Sequence, residues 1–182
     1  ELGRGTRAVY SPPGYLIHGP TNGLGQGLWA WPFSLATLEP TGDTFPVDAA
    51  GSSASGSQDG TLAYTDQAVE SAFEELSWRS RTGELLGAVG QAQANISQVA
   101  LSPDGQRAAV VSREVGNRTP DIWVHDLTRA SRTRLTFEDH TEASPAWSPS
   151  GREIVYRVTE GSDNSLMRRA ADGTGDPVVV LK

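Results

Sequence analysis

The sequence predicts an all-β chain made of four copies of one four-stranded unit, on three observations. A four-residue turn recurs: Ser-Pro-Pro-Gly at 11–14, Ser-Gln-Asp-Gly at 57–60, Ser-Pro-Asp-Gly at 102–105 and Ser-Pro-Ser-Gly at 148–151. Its closing glycines, Gly14, Gly60, Gly105 and Gly151, stand 46, 45 and 46 residues apart. One large apolar side chain then follows at a near-constant distance: Trp31 lies 17 residues after its glycine, Trp78 and Trp123 lie 18 after theirs, and Met167 takes the place at 16. A period of about 40–50 residues with strand-like flanks is the signature of a β-propeller, one four-stranded blade per repeat. The blades fall at 5–51, 52–94, 95–140 and 141–182, within a single segment 1–182.

Each element has a local reason. In the turn, proline presets φ, Asp or Ser bonds back to the backbone, and glycine takes the left-handed conformation that returns the chain. Second strands follow at once, at 15–20, 61–67, 106–113 and 152–159. Two of them carry dense β-formers, Ala-Ala-Val-Val in the third repeat and Ile-Val-Tyr in the fourth, which suits strands buried on both faces. Third strands hold the aromatic marker, whose plain role is inter-blade core. Trp147 stands directly before the fourth turn. Outer strands follow at 44–50, 85–90, 133–137 and 177–181. The nearest helical candidate, 67–76, reads better as an extended loop.

Composition excludes several function classes. Net charge is −7 and the pI about 4.9, which argues against nucleic acid and against anionic membranes, since both need a basic face. No apolar run approaches the roughly 20 residues of a membrane helix, so no membrane insertion by this segment is expected. There is no cysteine, hence no disulfide or thiolate metal site. The chain opens on Glu1 with neither an initiator methionine nor a signal sequence, and reads as a segment of a longer protein.

No constellation of catalytic residues stands out. There is no Gly-x-Ser-x-Gly elbow. His125 and Asp126 are strand neighbours and point to opposite faces, so they cannot pair. Asp139 and His140, with Glu138 and Glu142 near, could supply metal ligands, but a solvated charged loop is the better reading. The glycine-rich run 23–27 lacks the helix and lysine of a phosphate loop. We therefore expect no catalytic residue, no metal and no cofactor. What remains is the rim: loops at 22–26, 67–75, 114–119, 137–142 and 161–164 lie at one end of the blades. Arg113, Asn117, Arg118, Asp139 and His140 are its candidate contacts for a protein or peptide, or for a small ligand.

Residues 100–135 read Ala-Leu-Ser-Pro-Asp-Gly, then a strand, then Asp-Ile-Trp-Val-His-Asp-Leu, then Thr-Arg-Leu-Thr; the next repeat opens Pro-Ala-Trp-Ser-Pro. This resembles the TolB-like propeller repeat. The first half, from Ala8-Val9-Tyr10-Ser11-Pro12-Pro13-Gly14 through Trp31-Pro32-Phe33 to Gly60-Thr61-Leu62-Ala63-Tyr64, is similar to the propeller that follows the catalytic domain of bacterial serine/threonine protein kinases. These resemblances imply a non-enzymatic interaction or sensor module. Two alternatives are the substrate-gating propeller of a prolyl-oligopeptidase-type peptidase and a periplasmic TolB-type assembly component. The compartment stays open, with the outer side of a bacterial membrane preferred to the cytoplasm. The family's rings commonly hold six blades, so four would leave two open faces. Each would expose roughly 400 Å² of apolar surface, worth on the order of 10 kcal/mol. Capping by a second copy of the chain, or by rearranged termini, is therefore expected unless four blades close alone.

Overall fold

In the computed structural model, which describes residues 8–20, 27–66, 73–79 and 84–182, every regular element is a strand. The first blade holds β1 (Ala8–Ser11), β2 (Tyr15–His18), β3 (Leu28–Ser34), β4 (Glu39–Pro40) and β5 (Phe45–Asp48). The second holds β6 (Gly51–Gly56), β7 (Leu62–Asp66), β8 (Phe73–Arg79) and β9 (Leu85–Ala94). The third holds β10 (Ile96–Leu101), β11 (Arg107–Ser112), β12 (Asp121–Asp126) and β13 (Ser131–Arg134). The fourth holds β14 (Thr141–Trp147), β15 (Glu153–Glu160), β16 (Asp163–Ala170) and β17 (Val178–Leu181). Blades three and four are antiparallel meanders in chain order, as a propeller blade should be.

The blades depart from four identical strands in two places. In the first, β4 and β5 both pair with β3, giving five strands. In the second, β6–β7 and β8–β9 are separate hairpins among the described residues. Residues 73–76, expected to be loop, belong to β8, while 67–72 lie outside the described residues. The glycine-rich run falls outside them too, except Gly27.

The turns form as their chemistry dictates. In the third, Ser102 Oγ donates to Asp104 Oδ1 at 2.6 Å, and Asp104 Oδ1 accepts from the Gln106 N–H at 3.1 Å. Ser102 Oγ also accepts from the Arg107 N–H at 2.9 Å. The Ser102 hydroxyl, then the Gln106 N–H, hold Asp104 below the ordinary carboxylate value. The second turn repeats this with Ser57, Asp59 and Thr61. In the fourth, Ser150 replaces the aspartate, and its bond to the Arg152 N–H is longer, 3.4 Å. Gly105 closes its turn at φ +69°, and a Cβ there would meet Asp59 Oδ2 of the neighbouring turn at 3.3 Å. Gly105→Ala should therefore cost about 1–2 kcal/mol, the penalty of a left-handed alanine; urea unfolding measures it, and an unchanged midpoint would refute the strain.

The repeat period reappears as the span of the bonds that join blades. Ser55 Oγ accepts from the Leu101 N–H at 2.9 Å, and Gln98 Oε1 from the Ser144 N–H at 2.6 Å, each pair 46 residues apart. The Trp147 Nε1–H donates to the Ala100 carbonyl at 2.9 Å, 47 residues away. Turns are tied as well: Gln58 N donates to Pro103 O at 3.2 Å, and Arg107 Nη2 to Gly151 O at 2.6 Å.

Cores lie between blades. Blades three and four enclose Ala109, Val111, Ile122, Leu135, Ile154 and Tyr156, with Trp147 and Met167 packed against them. Val99, Leu101, Ala108 and Val110 face the second blade. Because β11 has a blade on each side, Ala108 through Ser112 are all buried. The fourth blade corrects the expectation of two buried faces. Ile154 and Tyr156 are buried against blade three, whereas Val155 is half-buried and Arg157 exposed, because among the described residues no blade covers the other face of β15. The tryptophans of the third strands are less buried than the core residues of the blade interfaces, and Trp123 stands opposite Val110, on the side that faces the second blade. Trp78 is 37% exposed, and Trp31 and Trp123 are half-buried. Trp31 donates its indole N–H to Gly42 O at 3.1 Å, within its own blade. The large side chains that fill the interface between blades three and four are Tyr156, Ile122, Ile154 and Leu135.

Candidate functional site

The rim of the third blade is held by a polar chain that starts in the loop after β11 and ends in β14. Asn117 Nδ2 donates to Asp121 Oδ2 at 3.2 Å. Asp121, only 1% exposed, accepts at Oδ1 from Arg134 Nη2 at 2.7 Å. Arg134 Nε donates to the Thr136 carbonyl at 2.8 Å, and its guanidinium lies 5.0 Å from the Phe137 ring centroid. Thr136, fully buried, accepts from the Ile122 N–H at 2.9 Å and donates its hydroxyl to Glu142 Oε2. The chain leaves the sheet after Arg134, where an outer strand was expected to run to 137, so that Leu135 and Thr136 can bond to Ile122.

Glu142 is a buried carboxyl group. Burial first, then the charges of Glu138 and Asp121, push it up to about 8, against the Thr136 hydrogen bond and the Arg134 charge. Burial works to raise Glu138 too. Yet the Phe137 N–H, its own N–H, the Arg169 charge and a hydrogen bond from Glu142 outweigh it and hold Glu138 below its ordinary value. At neutral pH the pair is thus one carboxylate and one carboxylic acid that donates to it. Burial, then the two glutamate charges, raise the Tyr156 hydroxyl to about 12. Glu142 is only 1% exposed, and its hydrogen bond from Thr136 ties the inner strand of the fourth blade to the loop after β13.

Of the sequence-predicted contacts, Asn117 joins this chain. Arg113, Arg118 and Asp139 are exposed and His140 is half-buried. Their side chains make no hydrogen bond or ion pair among the described residues, while the Arg113 carbonyl accepts from Asn95 Nδ2 at 3.1 Å. The loops after β11 and β13 therefore share one end, with Asn117 and Glu142 at opposite ends of the network that ties them. Sequence reasoning missed Asp121, Arg134 and Thr136, and named Glu142 only as a neighbour. The available signal was a glutamate inside an inner strand, at a position whose alternation faces the core. Among the described residues no group of three His, Asp or Glu side chains could hold a metal.

A profile described as the lipoprotein LpqB β-propeller domain matches residues 74–182. The chain belongs to the LpqB β-propeller domain family. Around this LpqB-type propeller lie TolB proteins. It is 26% identical over 85 residues to the Tol-Pal system protein TolB of Alcanivorax borkumensis, covering 47% of this chain and 19% of that one. TolB of Agrobacterium tumefaciens superposes with a TM-score of 0.74 at 20% identity, over 97% of this chain and 61% of that chain. TolB of Acinetobacter baumannii gives 0.69 at 18% identity, over 96% and 42%. The chain thus spans less than two thirds of each, and the two structures share the propeller fold.

Proposed function

We propose that this LpqB-type propeller is a non-enzymatic recognition module that binds a protein or peptide through the rim of its third and fourth blades. One observation carries the reading: the polar network from Asn117 to Glu142 pins both rim loops, while Arg113, Arg118, Asp139 and His140 keep their charged or polar groups unspent among the described residues. Rigid backbone carrying unpaired charge is the arrangement that binds a partner without a large ordering cost. Membership of a lipoprotein propeller family and likeness to a Tol-Pal component support an envelope partner over a soluble substrate. The triple variant Arg113→Ala, Arg118→Ala, His140→Ala should keep the wild-type melting temperature and lose at least tenfold in affinity for proteins cross-linked to the wild type in an envelope fraction. An undiminished capture by the triple variant at equal melting temperature would remove the rim from the account.

A narrower reading, a sensor propeller beside a serine/threonine kinase, is favoured by the ordered run from Ala8 to Tyr64, which lies ahead of the matched residues 74–182. A kinase catalytic domain in the same reading frame would support it. A downstream Gly-x-Ser-x-Gly elbow would instead favour the peptidase gate. The uncovered face of the fourth blade carries Leu166, Val178 and Leu181, 38%, 49% and 61% exposed. Association of two copies there would appear in light scattering as a doubled mass, and Leu166→Glu should abolish it.

A further inference from the structure

The geometry points to two apolar anchors on the recognition rim, Val115 and Phe137, and to one kind of occupant: a peptide segment that presents apolar side chains flanked by carboxylates. This rests on the rim reading above and adds which side chains hold the partner and what that partner carries.

An exposed apolar residue alone means little, since folded surfaces carry many. These two differ in being held. Val115, 76% exposed, stands in a four-residue turn that the Asn117 N–H closes on the Glu114 carbonyl at 3.0 Å. Gly116 supplies the positive φ, +95°, at the turn's third position. Both ends of the turn are tied to the sheet. Glu114 Oε1 lies 3.2 Å from Arg132 Nη2, and Asn117 Nδ2 donates to Asp121 Oδ2 at 3.2 Å. Phe137, 61% exposed, is the first exposed side chain after β13. Its N–H donates to Glu138 Oε2 at 2.9 Å, and the Arg134 guanidinium lies 5.0 Å from its ring centroid. That same Arg134 donates to Asp121 Oδ1 at 2.7 Å. One buried carboxylate thus holds the roots of both anchors, through Asn117 for Val115 and through Arg134 for Phe137.

Turns favour Gly, Pro, Asn, Asp and Ser. A valine on a braced turn, and a phenylalanine already packed on Arg134, lose little freedom when a partner covers them. Binding energy concentrates in such buried apolar and aromatic contacts. Charge sets the sign of the partner. Arg113 and Arg118 bracket Val115, both exposed, while Glu114 between them is engaged by Arg132. In a chain of net charge −7 this is a local reversal of sign. On the Phe137 side the exposed charge is the acid Asp139, next to His140. The occupant's carboxylates therefore fall on the Val115 side, with its apolar side chains against the two anchors.

Selection of a random dodecapeptide display library on the immobilised chain tests this, with counter-selection on the double variant Val115→Ser, Phe137→Ser. The expected survivors share a large apolar residue with Asp or Glu beside it. The most enriched sequence, made as a labelled peptide, should bind saturably in fluorescence anisotropy. The double variant should lose at least tenfold in affinity at an unchanged melting temperature. Val115→Ser alone, outside the hydrogen-bond network, should lose at least threefold and guards against loosening of the Arg134 stack. Added salt should weaken binding, and Arg113→Ala with Arg118→Ala should remove most of that dependence. No enrichment, survivors without an acidic bias, or peptides held equally by the double variant overturn the proposal. The envelope capture described above separates the two readings. If the triple variant loses it and Val115→Ser, Phe137→Ser keeps it, the rim stands and the anchors fall; if both keep it, both readings fall.

Discussion

Ile122→Ala should lower the stability of this domain by about 2–5 kcal/mol, the cost of a large-to-small change in a packed core. The side chain is 0% exposed and sits among Val111, Val124, Leu135, Ile154 and Tyr156, where blades three and four meet. Its backbone is equally committed: the N–H donates to Thr136 Oγ1 and the carbonyl accepts from Leu135 at 2.8 Å. The surroundings are sheet backbone and cannot collapse into the gap, so the upper part of the range applies. A propeller is held by nearest-neighbour interfaces, so the loss should uncouple the fourth blade first. Urea unfolding gives the energy, and amide exchange should quicken in β15 more than in β11. Trp78→Ala is the contrast, since that ring is 37% exposed. If the two variants cost the same, the interface between blades three and four is not the main core.

That contrast marks what could be read from residues alone. Turns are local chemistry: Ser102, Asp104 and Gly105 close on one another, so a four-residue pattern sufficed to place them and to set the repeat. The strand order of blades three and four follows from the period. Burial does not, because it depends on which blades flank a strand. Val110 and Val155 look alike in sequence, yet the first is 0% exposed between two blades and the second is half-buried beside an uncovered face. The tryptophans differ in burial from their neighbours for the same reason. Trp123 and Ile122 are adjacent in β12 and face opposite ways, and the smaller residue took the interface with blade four. Of the five expected rim loops, the two after β11 and β13 are tied together by the network. That network was not legible in the sequence, since Asp121, Arg134, Thr136 and Glu142 meet only when the chain leaves the sheet after Arg134.

Stability should be flat between about pH 4.5 and 6.5 and then fall toward pH 8, and two buried groups set that shape. Glu142 has an ordinary value of 4.5 and is raised to about 8 in the fold. The folded chain keeps a proton that the unfolded chain gives up, so this contribution is complete below pH 4.5, declines as pH rises, and is lost above 8. His125 is lowered from 6.5 to about 4. Its contribution is complete above pH 6.5 and is lost as pH falls toward 4. Where the windows overlap, the slopes oppose, each at most about 1.4 kcal/mol per pH unit. Above 6.5 only the Glu142 slope remains. Glu142→Gln keeps a neutral side chain that can accept from Thr136 and donate to Glu138. It should match the wild type at pH 5 and exceed it by on the order of a few kcal/mol at pH 9. Urea unfolding at pH 5, 7 and 9 decides this; a wild type equally stable at pH 5 and 9 would show that Glu142 does not titrate as described. Ionising Glu142 also sets a second charge beside Glu138, at the root of the loop that carries Asp139 and His140. The same rise in pH should therefore free that loop before the blades part. Cleavage by a non-specific protease near residues 137–140 should appear at pH 9 in the wild type and stay slow in Glu142→Gln.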